Sequence, residues 1–119
     1  MTPPIGPAER RRAVRMKPIP DCPASAVLLG DHPEALMIND VGVGGIAFQT
    51  LGSLKTAQVN QRLELRVSLA RYGEHNISAE VRYVNDDGLT GAQFVDLSPE
   101  ATKAVRHYVA ELLQRGAPS

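Results

Sequence analysis

A chain of 119 residues is long enough to bury one core, and nothing in it marks a second domain. Its 13 acidic and 13 basic side chains cancel, which argues against bulk attraction to nucleic acid. With 43% apolar but only 4% aromatic residues, the core has to be built from Val, Leu, Ile and Ala; a single cysteine, Cys22, excludes an internal disulfide framework, and no stretch approaches the roughly 20 apolar residues of a membrane span, so a soluble, cytoplasmic protein is expected.

Residues 1–9 hold Pro3, Pro4, Gly6 and Pro7, which favour extended backbone and cannot propagate a helix, so a mobile lead-in is expected. Arg10, Arg11, Arg12, Arg15 and Lys17 then crowd together with no acid among them. Such a run is either a solvated arm or the site of one anionic partner. Pro18, Pro20 and Pro23 keep the next segment extended, so residues 1–23 read as a flexible N-terminal arm that carries the basic motif.

From residue 24 the pattern changes to short strands. Ala26-Val27-Leu28-Leu29 gives a first strand, bounded by the turn cluster Gly30-Asp31-His32-Pro33, and a second follows over about 35–39. It runs into Asp40-Val41-Gly42-Val43-Gly44-Gly45, where three glycines after an acid permit positive φ and let a backbone or ligand approach closely. A stretch of this kind is a hairpin corner or the floor of an anion site. Residues 46–50 give a third strand.

The clearest periodicity is Leu63, Leu65, Val67 and Leu69 alternating with Arg62, Glu64, Arg66 and Ser68, and it repeats in Ile77, Ala79, Val81 and Tyr83. A period of two places one face in a core and the other in water, with Tyr72-Gly73-Glu74 as the intervening hairpin. Asn85-Asp86-Asp87-Gly88 offers a turn before a last strand over 90–95. Residues 24–97 therefore read as six antiparallel strands, in a small barrel or a strongly curled sheet. At Ser98-Pro99-Glu100 a helix is expected to start, running to Gly116 with Ala104, Val105, Tyr108, Val109, Leu112 and Leu113 as its apolar stripe.

The remaining polar residues suggest no chemistry. His32, His75 and His107 are far apart and lack ligand spacing to one another or to Cys22, so no metal site is expected. Asp86 and Asp87 sit in a turn, where carboxylates bend the chain. No nucleophile stands beside a base, and no Gly-x-Ser-x-Gly, Walker or Rossmann pattern occurs, so no enzyme and no cofactor are expected.

Taken together, Arg11 and Arg15 as an Arg-x-x-x-Arg motif, and Asp40 with Gly45 as an Asp/Asn-x-Ser-x-x-Gly motif, resemble the paired signature of the PilZ domain, a bacterial receptor module for the second messenger cyclic di-GMP. The resemblance runs from Glu9 to about Tyr108 and includes Thr90–Ser98 as the family's last strand and helix start. It implies a closed six-stranded antiparallel β-barrel followed by a C-terminal α-helix. It also implies a ligand site in which Arg11 and Arg15 clamp guanine and phosphate groups and Asp40 bonds a guanine. Arg10, Arg12 and Gly42 are further candidates, and Gly42 stands where the family has serine. The implied function is a cyclic di-GMP-binding adaptor whose arm changes conformation and signals to a partner protein. Two alternatives stay open. One is a degenerate module that binds protein and no nucleotide. The other is a barrel for single-stranded nucleic acid, for which the stacking aromatics expected beside basic residues look absent. The expected partners are cyclic di-GMP and a protein, with no DNA, RNA or membrane insertion.

Overall fold

A computed structural model of the protein describes residues 15–50 and 57–117. Arg10, Arg11 and Arg12 lie outside the described residues. The elements are β1 (Arg15–Met16), β2 (Ala24–Leu28), β3 (Glu34–Gly42), β4 (Gly45–Thr50), β5 (Arg62–Leu69), β6 (Gly73–Val84), β7 (Thr90–Val95) and α1 (Pro99–Gln114). Strands pair in the order β3-β2-β5-β6-β7-β4, and β4 pairs back onto β3, so the sheet closes into the expected six-stranded antiparallel barrel. Closure removes the unpaired edges that an open sheet of this size would expose.

The alternation of β5 and β6 does what its period requires: Leu63, Leu65, Val67, Ile77, Ala79 and Val81 point inward and are buried with Val41, Ile46, Phe48, Ala92 and Phe94. β6 is longer than its apolar pattern suggested and begins at Gly73. His75 hides the continuation by taking an inward-facing place opposite Val67, where its Nε2 lies 2.7 Å from the Tyr72 carbonyl. The turn is therefore residues 70–72, with Arg71 at φ 70 and Gly73 at φ 86.

Residues 15–23, grouped with the arm on the strength of their prolines, are seated on the barrel. β1 takes the edge of β3 beyond the end of β2, pairing Arg15 with Gly42 and Met16 with Val41. Met16 and Cys22 are buried on either side of the proline stretch and hold it down.

Helix α1 starts as its sequence specifies: the Ser98 hydroxyl accepts from the Ala101 amide at 3.0 Å and Pro99 occupies the first turn. Such a cap is worth about 1 kcal/mol. Ala101, Ala104, Val105, Tyr108, Val109 and Leu112 face the barrel, and the buried Tyr108 hydroxyl donates to the Cys22 carbonyl at 2.7 Å. Leu113, assigned to the stripe by spacing, is 63% exposed, because one residue beyond Leu112 the helix has rotated it away from the barrel. No described helix is long and apolar enough to cross a membrane.

Glu111 ties the helix to the β5–β6 turn. It accepts from the Tyr72 hydroxyl at 2.6 Å and from Arg115 Nε at 2.8 Å, and also pairs with Arg71. The Tyr72 bond first, then the Arg115 bond, pull its carboxyl down to about 2. A folded-state value below the unfolded one means stabilisation that is present above the unfolded value and fades as pH falls through the folded one. Glu111→Gln is therefore expected to lower the melting temperature at pH 7, with the gap to wild type shrinking between about pH 4.5 and pH 2. Thermal melts across that window check it; a gap independent of pH sinks it.

Candidate ligand site

Two irregularities in the barrel wall build the site. The register of β3 against β4 shifts between Ile38 and Asp40, and that of β6 against β7 shifts between Val81 and Tyr83. An extra residue in a strand breaks the period of two and places neighbours on the same side. Inward positions on β3 accordingly step from Ile38 to Val41, leaving Asn39 and Asp40 on the outer face. On β6 they step from Val81 to Val84, leaving Arg82 and Tyr83 outside. Alternation assigned Tyr83 to the core, but it is 40% exposed because the bulge re-aims it.

Between the two bulges lies a floor without side chains of any size. Across the outer face one row runs Asp40, Ala47, Gly91, Tyr83 through successive pairings of β3, β4, β7 and β6. The adjoining row contains Gly42, Gly45 and Gln93, with Arg15 opposite Gly42. Gly45 is needed for space. A Cβ there would fall 2.5 Å from the Ala92 carbonyl oxygen and 2.9 Å from Arg15 Nη2. Neither Gly44 nor Gly45 has a left-handed φ, so the freedom expected of this stretch is spent on close approach and not on handedness.

Arg15 lies over this floor and donates from Nη1 to Asp40 Oδ1 at 3.2 Å, while Asn39 Nδ2 donates to Asp40 Oδ2 at 2.6 Å. The strand β1 brings Arg15 there, and pairing of β3 fixes Asp40 beside it. Their side chains are 32% and 16% exposed, so the pair is reachable from solvent. Of the seven sequence candidates, the structure brings together Arg15, Asp40, Gly42 and Gly45; Arg10, Arg11 and Arg12 lie outside the described residues. Sequence reasoning missed Asn39 as the residue that orients Asp40, and the opposite rim of Arg82, Tyr83 and Gln93. The available signal was the three-residue step between apolar positions, Ile38 to Val41 and Val81 to Val84.

On that rim Arg82 Nε donates to Gln93 Oε1 at 2.8 Å and Arg82 Nη1 pairs with Glu80 at 3.1 Å. The concavities against Leu97 and Pro99, beside α1, and against Pro23 and Gly73 lie elsewhere on the molecule. No cluster of His, Cys, Asp and Glu able to hold a metal occurs among the described residues.

The fold has solved counterparts. The PilZ domain of YcgR from Escherichia coli, solved with c-di-GMP, superposes with a TM-score of 0.67 at 15% identity, covering 90% of this chain and 94% of that one. MrkH from K. pneumonia in complex with c-di-GMP gives 0.75 at 21% identity, covering 90% of this chain and 53% of that one. The Bacillus subtilis inhibitor of motility MotI gives 0.68 at 16%, covering 89% and 53%. The chain thus spans about half the length of MrkH and MotI. No curated protein matches the sequence significantly. The PilZ domain matches residues 9–111, nearly the whole chain, and the barrel with its helix is the fold of the PilZ structures above, so the chain belongs to the PilZ domain family.

Proposed function

We propose that the chain is a receptor for cyclic di-GMP whose N-terminal arm closes over the bound nucleotide and presents the result to a partner protein. The observation that carries this reading is the meeting of Arg15 and Asp40, 25 positions apart, at the rim of a floor where Gly45 has no room for a side chain. A guanine offers O6 and N7 as acceptors along one edge and N1 and N2 as donors along another. A guanidinium fork matches the first bidentately, and a carboxylate accepts from the second. Each Asp40 oxygen accepts one hydrogen bond, from Arg15 and from Asn39, and keeps capacity for another. Arg11 is the proposed second guanidinium, with Arg10 and Arg12 as phosphate contacts or solvated charge.

Family membership supports the ligand, since the YcgR domain and MrkH are both solved with c-di-GMP. MrkH is described as a transcription regulatory factor and MotI as an inhibitor of motility, which fits a receptor module whose output is set by what it is joined to or meets. Calorimetric titration of the wild-type protein with cyclic di-GMP tests the reading: saturable heat is expected, and its absence together with an unchanged melting temperature ends it. For the arm, saturating nucleotide is expected to slow amide exchange over residues 8–14, and no change there sinks that step.

Gly42 favours a second reading, a module that binds protein alone. It pairs opposite Arg15 on the outer face, so a serine there would place a hydroxyl beside the guanidinium. A neutral hydrogen bond contributes about 0.5–1.5 kcal/mol, so Gly42→Ser is expected to raise affinity by about tenfold or less. Binding by Gly42→Ser but not by wild type would establish the second reading.

A further inference from the structure

We infer that the outward face of α1 is the docking surface for an acidic segment of a partner protein, one of whose apolar side chains enters a concavity at the start of the helix. That concavity, of about 570 Å³, is lined by Leu97, Pro99, Thr102, Lys103, Arg106 and His107. Leu97 packs against the core beneath it, while Lys103, Arg106 and His107 stand exposed around it. At about 100° per residue, Pro99, Arg106 and Leu113 fall nearly on one line along the helix, with Lys103 and Ala110 beside it. The face therefore reads apolar, basic, apolar over about 21 Å. It ends on Leu113, at 63% the most exposed large apolar side chain of the described residues.

The charge on this face is unspent. Among the described residues Arg15, Arg62, Arg71, Arg82 and Arg115 all form ion pairs, but Lys103 and Arg106 form none. Glu100, three positions before Lys103, is not paired with it, and Glu111, on the flank, is committed to Tyr72, Arg71 and Arg115. Charge also selects the occupant. The stretches of this chain outside the described residues hold Arg10, Arg11, Arg12 and Lys55 against one acid, Glu9, so the face would repel the arm and not hold it. Nucleic acid calls for a broader basic footprint than two cations flanked by apolar surface. A protein segment with carboxylates around an apolar residue matches both features, and the positive end of α1 favours the same charge. The surface shares no residue with the floor at Arg15 and Asp40, so the inference stands whether or not the nucleotide binds.

The isotopically labelled full chain, titrated with a synthetic acidic peptide that carries leucines among its glutamates, tests this through backbone amide shifts. Shifts are expected over residues 97–107 and 110–114, and binding is expected to weaken as salt rises from about 50 mM to about 500 mM. The double change Lys103→Glu, Arg106→Glu is expected to weaken it about tenfold or more, and Leu113→Ser about 3- to 10-fold. Both variants should melt near wild type and keep its affinity for cyclic di-GMP. No shift on this face at about 2 mM peptide, or equal shifts with a peptide of glutamate alone, overturns the inference. So does tighter binding of a short DNA duplex to the same residues, or self-association of the wild type that the double change abolishes, which would give the face to a second copy. None of these results bears on the receptor reading, which fails on the nucleotide titration alone.

Discussion

Arg15→Ala is expected to weaken cyclic di-GMP binding by about 10- to 100-fold while leaving the barrel folded. The contact at stake is charge-assisted, about 1.5–3 kcal/mol, and each 1.4 kcal/mol is a factor of ten. The same substitution removes the bridge to Asp40, but Arg15 is about a third exposed and such pairs contribute at most about 1 kcal/mol to stability. Water can replace the lost partner at Asp40, so melting temperature and affinity should separate cleanly. Arg15→Lys should recover little, because an ammonium keeps the charge and loses the planar fork. Titration and a melt on the same preparation check this; equal affinity for wild type and Arg15→Ala removes the residue from the site.

Gly45→Ala is expected to cost about 1–3 kcal/mol of stability, the usual range for overpacking a filled position, and to impair binding as well. The added methyl meets two groups of different character. Arg15 Nη2, at 2.9 Å, is the end of a flexible chain and can swing away, which takes the guanidinium off the floor. The Ala92 oxygen, at 2.5 Å, is backbone in the β4–β7 pairing, where Ile46 lies opposite Ala92, and it can yield only by parting the strands. Gly44→Ala is the control, since nothing lies within 4 Å of its Cβ position. In urea the Gly45→Ala midpoint should fall with an unchanged slope while Gly44→Ala stays near wild type. Coincident midpoints for the two variants would show that the crowding at Gly45 has been misread.

The barrel was legible in the sequence because its core strands obey a strict period of two. Leu63 to Leu69 and Ile77 to Val81 need no tertiary knowledge to be placed, and Ser98-Pro99 announces the helix chemically. The places where reading stopped short share one physical cause, loss of that period. At Asn39 and Arg82 a bulge inserts a residue, so the second strand ended too early and Tyr83 turned the wrong way. His75 in an inward position concealed the first third of β6. β1 was illegible for another reason: two residues carry no periodicity, and what fixes them is burial of Met16 and pairing with Gly42 and Val41, remote in sequence. Half of the candidate site was visible as motif, namely Arg15, Asp40 and Gly45. The other half followed from strand register, marked in the sequence only by the three-residue steps from Ile38 to Val41 and from Val81 to Val84.

The floor straddles the pairing of β4 with β7, one of two junctions in the barrel that join strands remote in the chain, the other being β2 with β5. Gly45 and Gln93 become neighbours only once that junction is zipped, so the complete floor depends on it. Any guest held there must favour the zipped form by mass action, adding about 2.7 kcal/mol against opening when its free concentration is a hundred times its dissociation constant. Occupancy and closure of the wall are in that sense one equilibrium, and a slackened junction would weaken the hold on any such guest as well as the structure.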